Sequence, residues 1–238
     1  MANQLPYTPI AGVVPCPGGW LVQPGRLLGV TIAPDEPHVL ATLAEVIDYR
    51  PTYAVIVLGT PIGLVDSPNG GYRQCDLAAR EMLGWPRRVD IARVPSRLGL
   101  YADSYAAAKR AEPWLTPLAY RHFRWLREAD KEIKPYHQRR IYSASPELSY
   151  YVVHGDKPTV HSAFWREGPQ ERLQLIRDRL PGLKALTHAS PPAGAGLRQV
   201  VDAAGLLWTA RRIAGKAITR LPAHPEWDSE GRRIELVR

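Results

Sequence analysis

The sequence predicts a three-layer α/β fold built on a mixed central sheet. Three features point there. Residues 53–58 form an unbroken Val- and Ile-rich run, the pattern of a strand buried on both faces and flanked by parallel neighbours. Short apolar segments punctuated by glycine precede it over 11–32, as in a meander. Amphipathic helical stretches alternate with strand-like segments after it, which calls for helices on both faces of a sheet.

The elements follow in order. Residues 11–14 are apolar and partly β-branched and predict a strand; 15–19 predict a turn. Residues 20–22 and 26–32 predict the next two strands, with Gly25 at the turn between them. Over 36–49, Val39, Leu40, Leu43, Val46 and Ile47 recur at helical spacing, and Asp35 and Glu36 stand near the start, where the helix dipole favours acids. After the 53–58 strand, 76–83 predicts a helix closed by Gly84. Residues 85–138 read as an inserted helical lobe within one domain spanning 1–238, with helices at 105–112 and 118–133 separated by Pro113 and Pro117. A strand at 140–144, helices at 146–154 and 170–180, a Pro-, Ala- and Gly-rich loop at 181–196, a helix at 199–216 and a strand at 233–237 complete the chain.

Composition narrows the function classes. The 238 residues are 45% hydrophobic and 23% charged, ordinary for a globular chain. No stretch approaches the roughly 20 apolar residues of a membrane helix, and the first residues lack a basic start followed by an apolar run, so a cytoplasmic, non-membrane protein is expected. Two cysteines, Cys16 and Cys75, are too few for a disulfide framework or a clustered zinc site. The seven histidines are dispersed, with no His-x-x-x-His or His-Glu-x-x-His spacing. The net charge of +8 raises the expectation of a polyanionic partner such as nucleic acid.

Five blocks carry a family resemblance. They are Gly12-Val13-Val14-Pro15-Cys16-Pro17-Gly18-Gly19-Trp20; Leu58-Gly59-Thr60-Pro61-Ile62-Gly63-Leu64; Arg73, Cys75, Asp76, Ala79, Arg80, Leu83 and Gly84; Tyr142-Ser143-Ala144-Ser145-Pro146-Glu147; and Asp202-Ala203 with Trp208-Thr209-Ala210-Arg211. In this order they resemble the predicted RNase H-like nucleases grouped as domain of unknown function 429. The resemblance implies an RNase H-like fold and a cleft in which carboxylates would hold two divalent metals for phosphodiester cleavage. The acids implied are one in each of the first two blocks, one in the Tyr142 block and one in the late helix. Here those positions hold Val14, Gly59, Ser143 and Asp202, so one acid of four is kept. Arg198 and Gln199 stand just upstream of Asp202, where relatives often carry acids.

Three functions follow as expectations. The first is a catalytically degenerate RNase H-like protein that binds a partner, foremost nucleic acid, without metal or other cofactor. It would bind through the old cleft or through the basic lobe, where Arg121, Arg124, Lys131, Lys134, Arg139 and Arg140 alternate with Trp114, Tyr120, Phe123, Trp125 and Tyr136. The acids Glu112, Glu128, Asp130 and Glu132 dilute that charge, and buried aromatics under a solvated basic face explain the same pattern. The second is an enzyme whose reshaped cleft, lined by Val14, Cys16, Gly59, Ser143 and Ser145 beside Asp202, takes a small molecule. The third is a magnesium- or manganese-dependent nuclease with relocated acids, in which Asp202, Glu147 and Asp66 are catalytic. Bland readings stand beside these: a helix-start charge for Glu147, a surface pair with Arg80 for Asp76, and buried thiols for both cysteines.

Overall fold

A computed structural model of the chain describes residues 6–183 and 190–238. Its centre is strand β1, Thr8–Cys16. Strand β2, Gly19–Leu28, runs antiparallel to it, followed by β3, Thr31–Pro34, and the short β4, His38–Leu40, which both pair with β2. On the other side of β1 lie β5, Val55–Leu58, and β6, Ile141–Ser143, both parallel to it. The order β3-β2-β1-β5-β6, antiparallel on one half and parallel on the other, is an RNase H-like sheet.

The pleat distributes this sheet between two helical layers. Ile10 and Val14 of β1 and Val55 and Val57 of β5 face one side, where they pack with helices α7, Pro146–Val153, α8, Glu167–Ile176, and α9, Leu197–Ala214. Ala11, Val13, Ile56 and Leu58 face the other, with α1, Leu43–Ile47, and part of α6, Phe123–Glu132. Both faces of β5 are apolar because both are covered. The long helix α9 lies directly on β1. A Cβ added at Gly12 would sit 2.1 Å from the Ala203 carbonyl oxygen, so this strand position admits only glycine. On α9's outer side a Cβ at Gly205 would meet the Tyr150 ring at 2.7 Å, which seats α7 against it.

Helices α2, Gln74–Leu83, α3, Arg97–Leu100, α4, Tyr105–Ala111, and α5, Pro117–Arg121, occupy the stretch between β5 and β6 together with α6. The later ones gather round Leu64, Val94, Leu100, Ala108, Leu115 and Phe123. The last strands, β7, Arg220–Trp227, and β8, Arg233–Val237, form a separate antiparallel pair, and β8 packs with α2 through Ile234 and Leu236. No helix among the described residues is long and apolar enough to cross a membrane.

Several sequence expectations are corrected. Gly25 is not a turn: it lies inside β2 and faces Leu207 of α9, whose Cδ1 would stand 3.1 Å from an added Cβ. The turn falls at Gly29, whose φ is +60°. The first turn is also shorter than expected, since β1 continues through Pro15 to Cys16 and pairs with Gly19. The helix expected over 36–49 is only α1, begun by a capping box in which Thr42 Oγ1 accepts from Glu45 N; residues 38–40 are instead strand β4. The helix expected over 118–133 is two, broken at His122. Strand β7 was not anticipated, because Pro222 and Pro225 argue against a strand; a register shift between Leu221 and Glu226 accommodates them at this edge. Part of the 181–196 loop, residues 184–189, lies outside the described residues.

Candidate functional site

The parallel strands β1, β5 and β6 end on one side of the sheet, and a cleft opens over their carboxyl ends. Gly59, at the end of β5, borders all three of its adjoining chambers. The chamber beside α9 has a volume of about 200 Å³ and is lined by Val14, Pro15, Ser145, Glu147, Phe164 and Asp202 among others. Motifs separated by up to 188 residues in sequence therefore meet at one place, because β1, β5, β6 and the first turns of α9 all point there.

Val14 and Gly59 fit each other. A Cβ added at Gly59 would lie 2.9 Å from Val14 Cγ1 and 3.0 Å from Leu206 Cδ1. The Val14 side chain occupies the space that an acid at 59 would need. Ser143 Oγ donates to the Thr60 carbonyl at 3.0 Å and so ties β6 to the loop after β5. Ser145 caps α7, accepting from Glu147 N at 3.3 Å. Both serines border the cleft, but their hydroxyls are engaged in these structural bonds.

Three carboxylates line the α9 chamber, and each faces a guanidinium. Arg172 Nη2 donates to both oxygens of Glu147 at 2.7 Å, and it is fully buried. Arg198 Nη1 donates to Asp202 Oδ2 at 3.0 Å, one helical turn along α9. Arg87 Nη1 stands 3.0 Å from Asp90 Oδ2, while Ser162 Oγ donates to Asp90 Oδ1 at 2.9 Å. Burial pushes the Glu147 carboxyl up to about 7; Arg172 pulls it down and the charge of Asp202 pushes it further up. Burial likewise raises Asp202 to about 6 against the pull of Arg198 and Arg172. Asp202 is 5% exposed, and its Oδ1 has no hydrogen-bond partner among the described residues.

These residues do not suit two dications. A two-metal centre needs several oxygens left anionic and free to converge. Here the acids are already balanced by three arginines, and no group of three His, Cys, Asp or Glu side chains among the described residues is placed to hold a metal ion. Val14 and Gly59 offer no donor atom.

The other candidates separate. Asp66 is outside the cleft chambers: its Oδ1 accepts from Ser229 Oγ at 2.7 Å and lies 3.3 Å from Arg97. Cys16 is 1% exposed, in the core against α9, and burial raises its thiol pKa, so it does not line the cleft. Asp76 does border the cleft, in the chamber beside Ser143, but it pairs with Arg73 at 2.8 Å rather than with Arg80, which stacks over Tyr72. Nor do the basic-lobe residues make one patch. Arg124 reaches the Pro17 carbonyl at 3.1 Å, beside the cleft. Arg140, at the start of β6, donates to the carbonyls of Ile47 and Tyr53 at the other end of the sheet. Lys131 sits beside Glu132, and Arg121, Lys134 and Arg139 are exposed. Of the aromatics, Phe123 is buried and Trp125 donates to the Gly19 carbonyl at 3.0 Å.

The sequence reading missed the pair-forming residues Asp90 and Arg172, whose side chains are buried, and the rim residue Phe164. Phe164 is 71% exposed, and the Arg198 guanidinium lies 4.8 Å over its ring. Trp165 beside it is 59% exposed. The aromatic–aromatic–basic run Phe164-Trp165-Arg166 was a usable signal. Arg172 gave none, since its partner is far off in sequence. His122, Arg93 and Trp125 form the facing rim.

The model of a family described as Protein of unknown function (DUF429) matches residues 12–227. No curated protein and no solved structure matches the chain.

Proposed function

Because the chain belongs to the DUF429 family and its cleft acids are neutralised in place, we propose that it is a nucleic-acid-binding RNase H-like protein without two-metal nuclease activity. The observation that carries this reading is the pairing of Asp90, Glu147 and Asp202 with Arg87, Arg172 and Arg198. A cleft so balanced lacks the net negative charge that concentrates dications, while its rim offers cations and exposed rings. Arg93, Arg124 and Arg198 suit phosphates; Phe164 and Trp165 suit bases. The net charge of +8 favours approach to a polyanion.

Gel retardation with labelled single- and double-stranded DNA and RNA, in magnesium or manganese, tests both halves. The expected outcome is retarded, intact substrate, with affinity falling steeply as salt rises. Cleavage by the parent that disappears in Asp202→Ala would restore the metal nuclease. Neither retardation nor cleavage would move weight to the small-molecule cleft, whose ligand would raise the melting temperature.

A further inference from the structure

The segment between α7 and α8 carries two exposed rings on a fixed frame. Phe164 is 71% exposed and Trp165 59%. Rings left in water return little to the stability of the fold, yet the backbone beneath them is held at several points. Glu171 accepts from Val160 N at 2.7 Å and from His161 N at 2.8 Å. The buried Arg172, while paired with Glu147, donates to the carbonyls of His161 at 3.0 Å and Gly168 at 3.1 Å. Ser162 Oγ donates to Asp90 Oδ1. A Cβ added at Gly168 would stand 2.0 Å from the Ser162 carbonyl oxygen, so α8 starts hard against this segment. The buried pairs behind the cleft wall thus fix where the two rings stand. An arginine accompanies each: Arg198 lies 4.8 Å from the centre of the Phe164 ring, and Arg87 5.8 Å from that of Trp165.

The rings open onto a groove. Phe164 and Arg198 border the α9 chamber, which shares Pro15, Gly59, Ala92 and His122 with the next; that one continues to Trp125 and Arg93. The pairing of ring with guanidinium recurs along it. Arg124 lies 3.9 Å from the centre of the Trp125 ring, and Arg93 lies 5.4 Å from that of Tyr72. Arg198 of α9 and Arg124 of α6 are both near enough to His122 to add to the effect of burial in lowering its pKa. Cations from two elements therefore converge where the chambers join.

From this juxtaposition we propose that the groove binds single-stranded nucleic acid in preference to duplex, with unstacked bases lying on Phe164 and Trp165 and a phosphate held between Arg124 and Arg198. The proposal rests on the nucleic-acid reading above and names the substrate class of that site. A duplex offers its phosphates but hides the faces of its bases, so an exposed ring gains contact only with a strand whose bases are free. A duplex would meet the arginines alone. Because every base has a face to stack, the preference is for strandedness and not for sequence.

The test is fluorescence anisotropy with labelled oligo(dT), alone and annealed to oligo(dA), at the same salt. The parent is expected to bind the single strand about tenfold more tightly than the duplex. Phe164→Ala and Trp165→Ala should each weaken oligo(dT) by about tenfold and leave the duplex unchanged, whereas Trp165→Phe, which keeps a ring, should retain most of the affinity. Arg124→Gln should weaken both ligands alike and lower the salt slope by about one; an unchanged slope would overturn the placement of the phosphate. Duplex bound as tightly as the single strand, or oligo(dT) affinity unchanged in both ring variants, would overturn the inference and leave nucleic-acid binding standing. Failure to bind either ligand would overturn both and assign the rings to a protein or lipid partner. Both rings are mostly in solvent, so the ring variants should melt with the parent, and thermal melting checks that each is folded.

Discussion

Two sets of buried ion pairs in this molecule use the same residue types to different ends. At the seam between α3, α6 and the turn before β8, Arg232 donates to Asp228 at 2.9 Å and to Asp130 at 2.7 Å, and Arg97 joins both acids. Asp228 Oδ1 accepts from the backbone of Glu230 and Arg232, and Asp130 Oδ2 accepts from Tyr101. Each of the four carboxylate oxygens has a partner. In the cleft the acids have one arginine each and little more: Asp202 Oδ1 is without a partner among the described residues, whereas the orphan at the seam is a guanidinium nitrogen, Arg97 Nε. The seam is built to hold its elements together. The cleft leaves hydrogen-bonding capacity unspent, at a cost in stability.

The comparison can be broken first at the seam. Arg232→Met leaves Asp130 and Asp228 buried with Arg97 alone and should lose about 3–5 kcal/mol in urea unfolding. A loss below about 1 kcal/mol would mean that the seam is no better satisfied than the cleft.

The cleft acids should set the pH dependence. Asp202 and Glu147 have folded pKa values of about 6 and about 7, raised from ordinary values of 3.8 and 4.5. The folded state therefore binds more protons than the unfolded one between those limits, and their contribution to stability is full at low pH and lost as pH rises through the folded values. For Asp202 the loss is roughly 2–3 kcal/mol. Urea unfolding from mildly acidic to neutral pH should show it, and Asp202→Asn should remove the Asp202 share.

At neutral pH Asp202→Asn should be more stable than the parent by about 1–2 kcal/mol, since an unsatisfied buried charge is replaced by a neutral amide. The matching change at the seam, Asp228→Asn, should have the opposite sign. Smallest of all, Asp66→Ala should change stability by less than about 0.5 kcal/mol, because its carboxylate is more than half exposed.

How much of this was legible in the sequence follows from how local each signal is. The core of β5 and the cleft-facing helix α9 were plain from periodicity, and the strand-end motifs placed Val14, Gly59 and Asp202 around one cleft. Gly25 misled because a glycine inside a strand and a glycine in a turn look alike until the helix crossing above it, through Leu207, is known. Strand β7 was hidden by its prolines. The acids of the lobe were read as diluting a basic surface, yet Glu128 accepts from the Trp20 indole at 2.8 Å, and Glu112 accepts from Ser96 N at 2.7 Å. They are used inside the fold. Arg172 was beyond reach, because pairing across tertiary distance leaves no spacing to detect.

The most direct test is a calorimetric titration of the folded protein with manganese at neutral pH, beside Asp202→Ala. Heat no larger than that of the variant, with no binding tighter than millimolar, is the result expected of a cleft whose acids are already matched by arginines. Two tight manganese sites that vanish in Asp202→Ala would contradict it and return the cleft to metal-dependent cleavage.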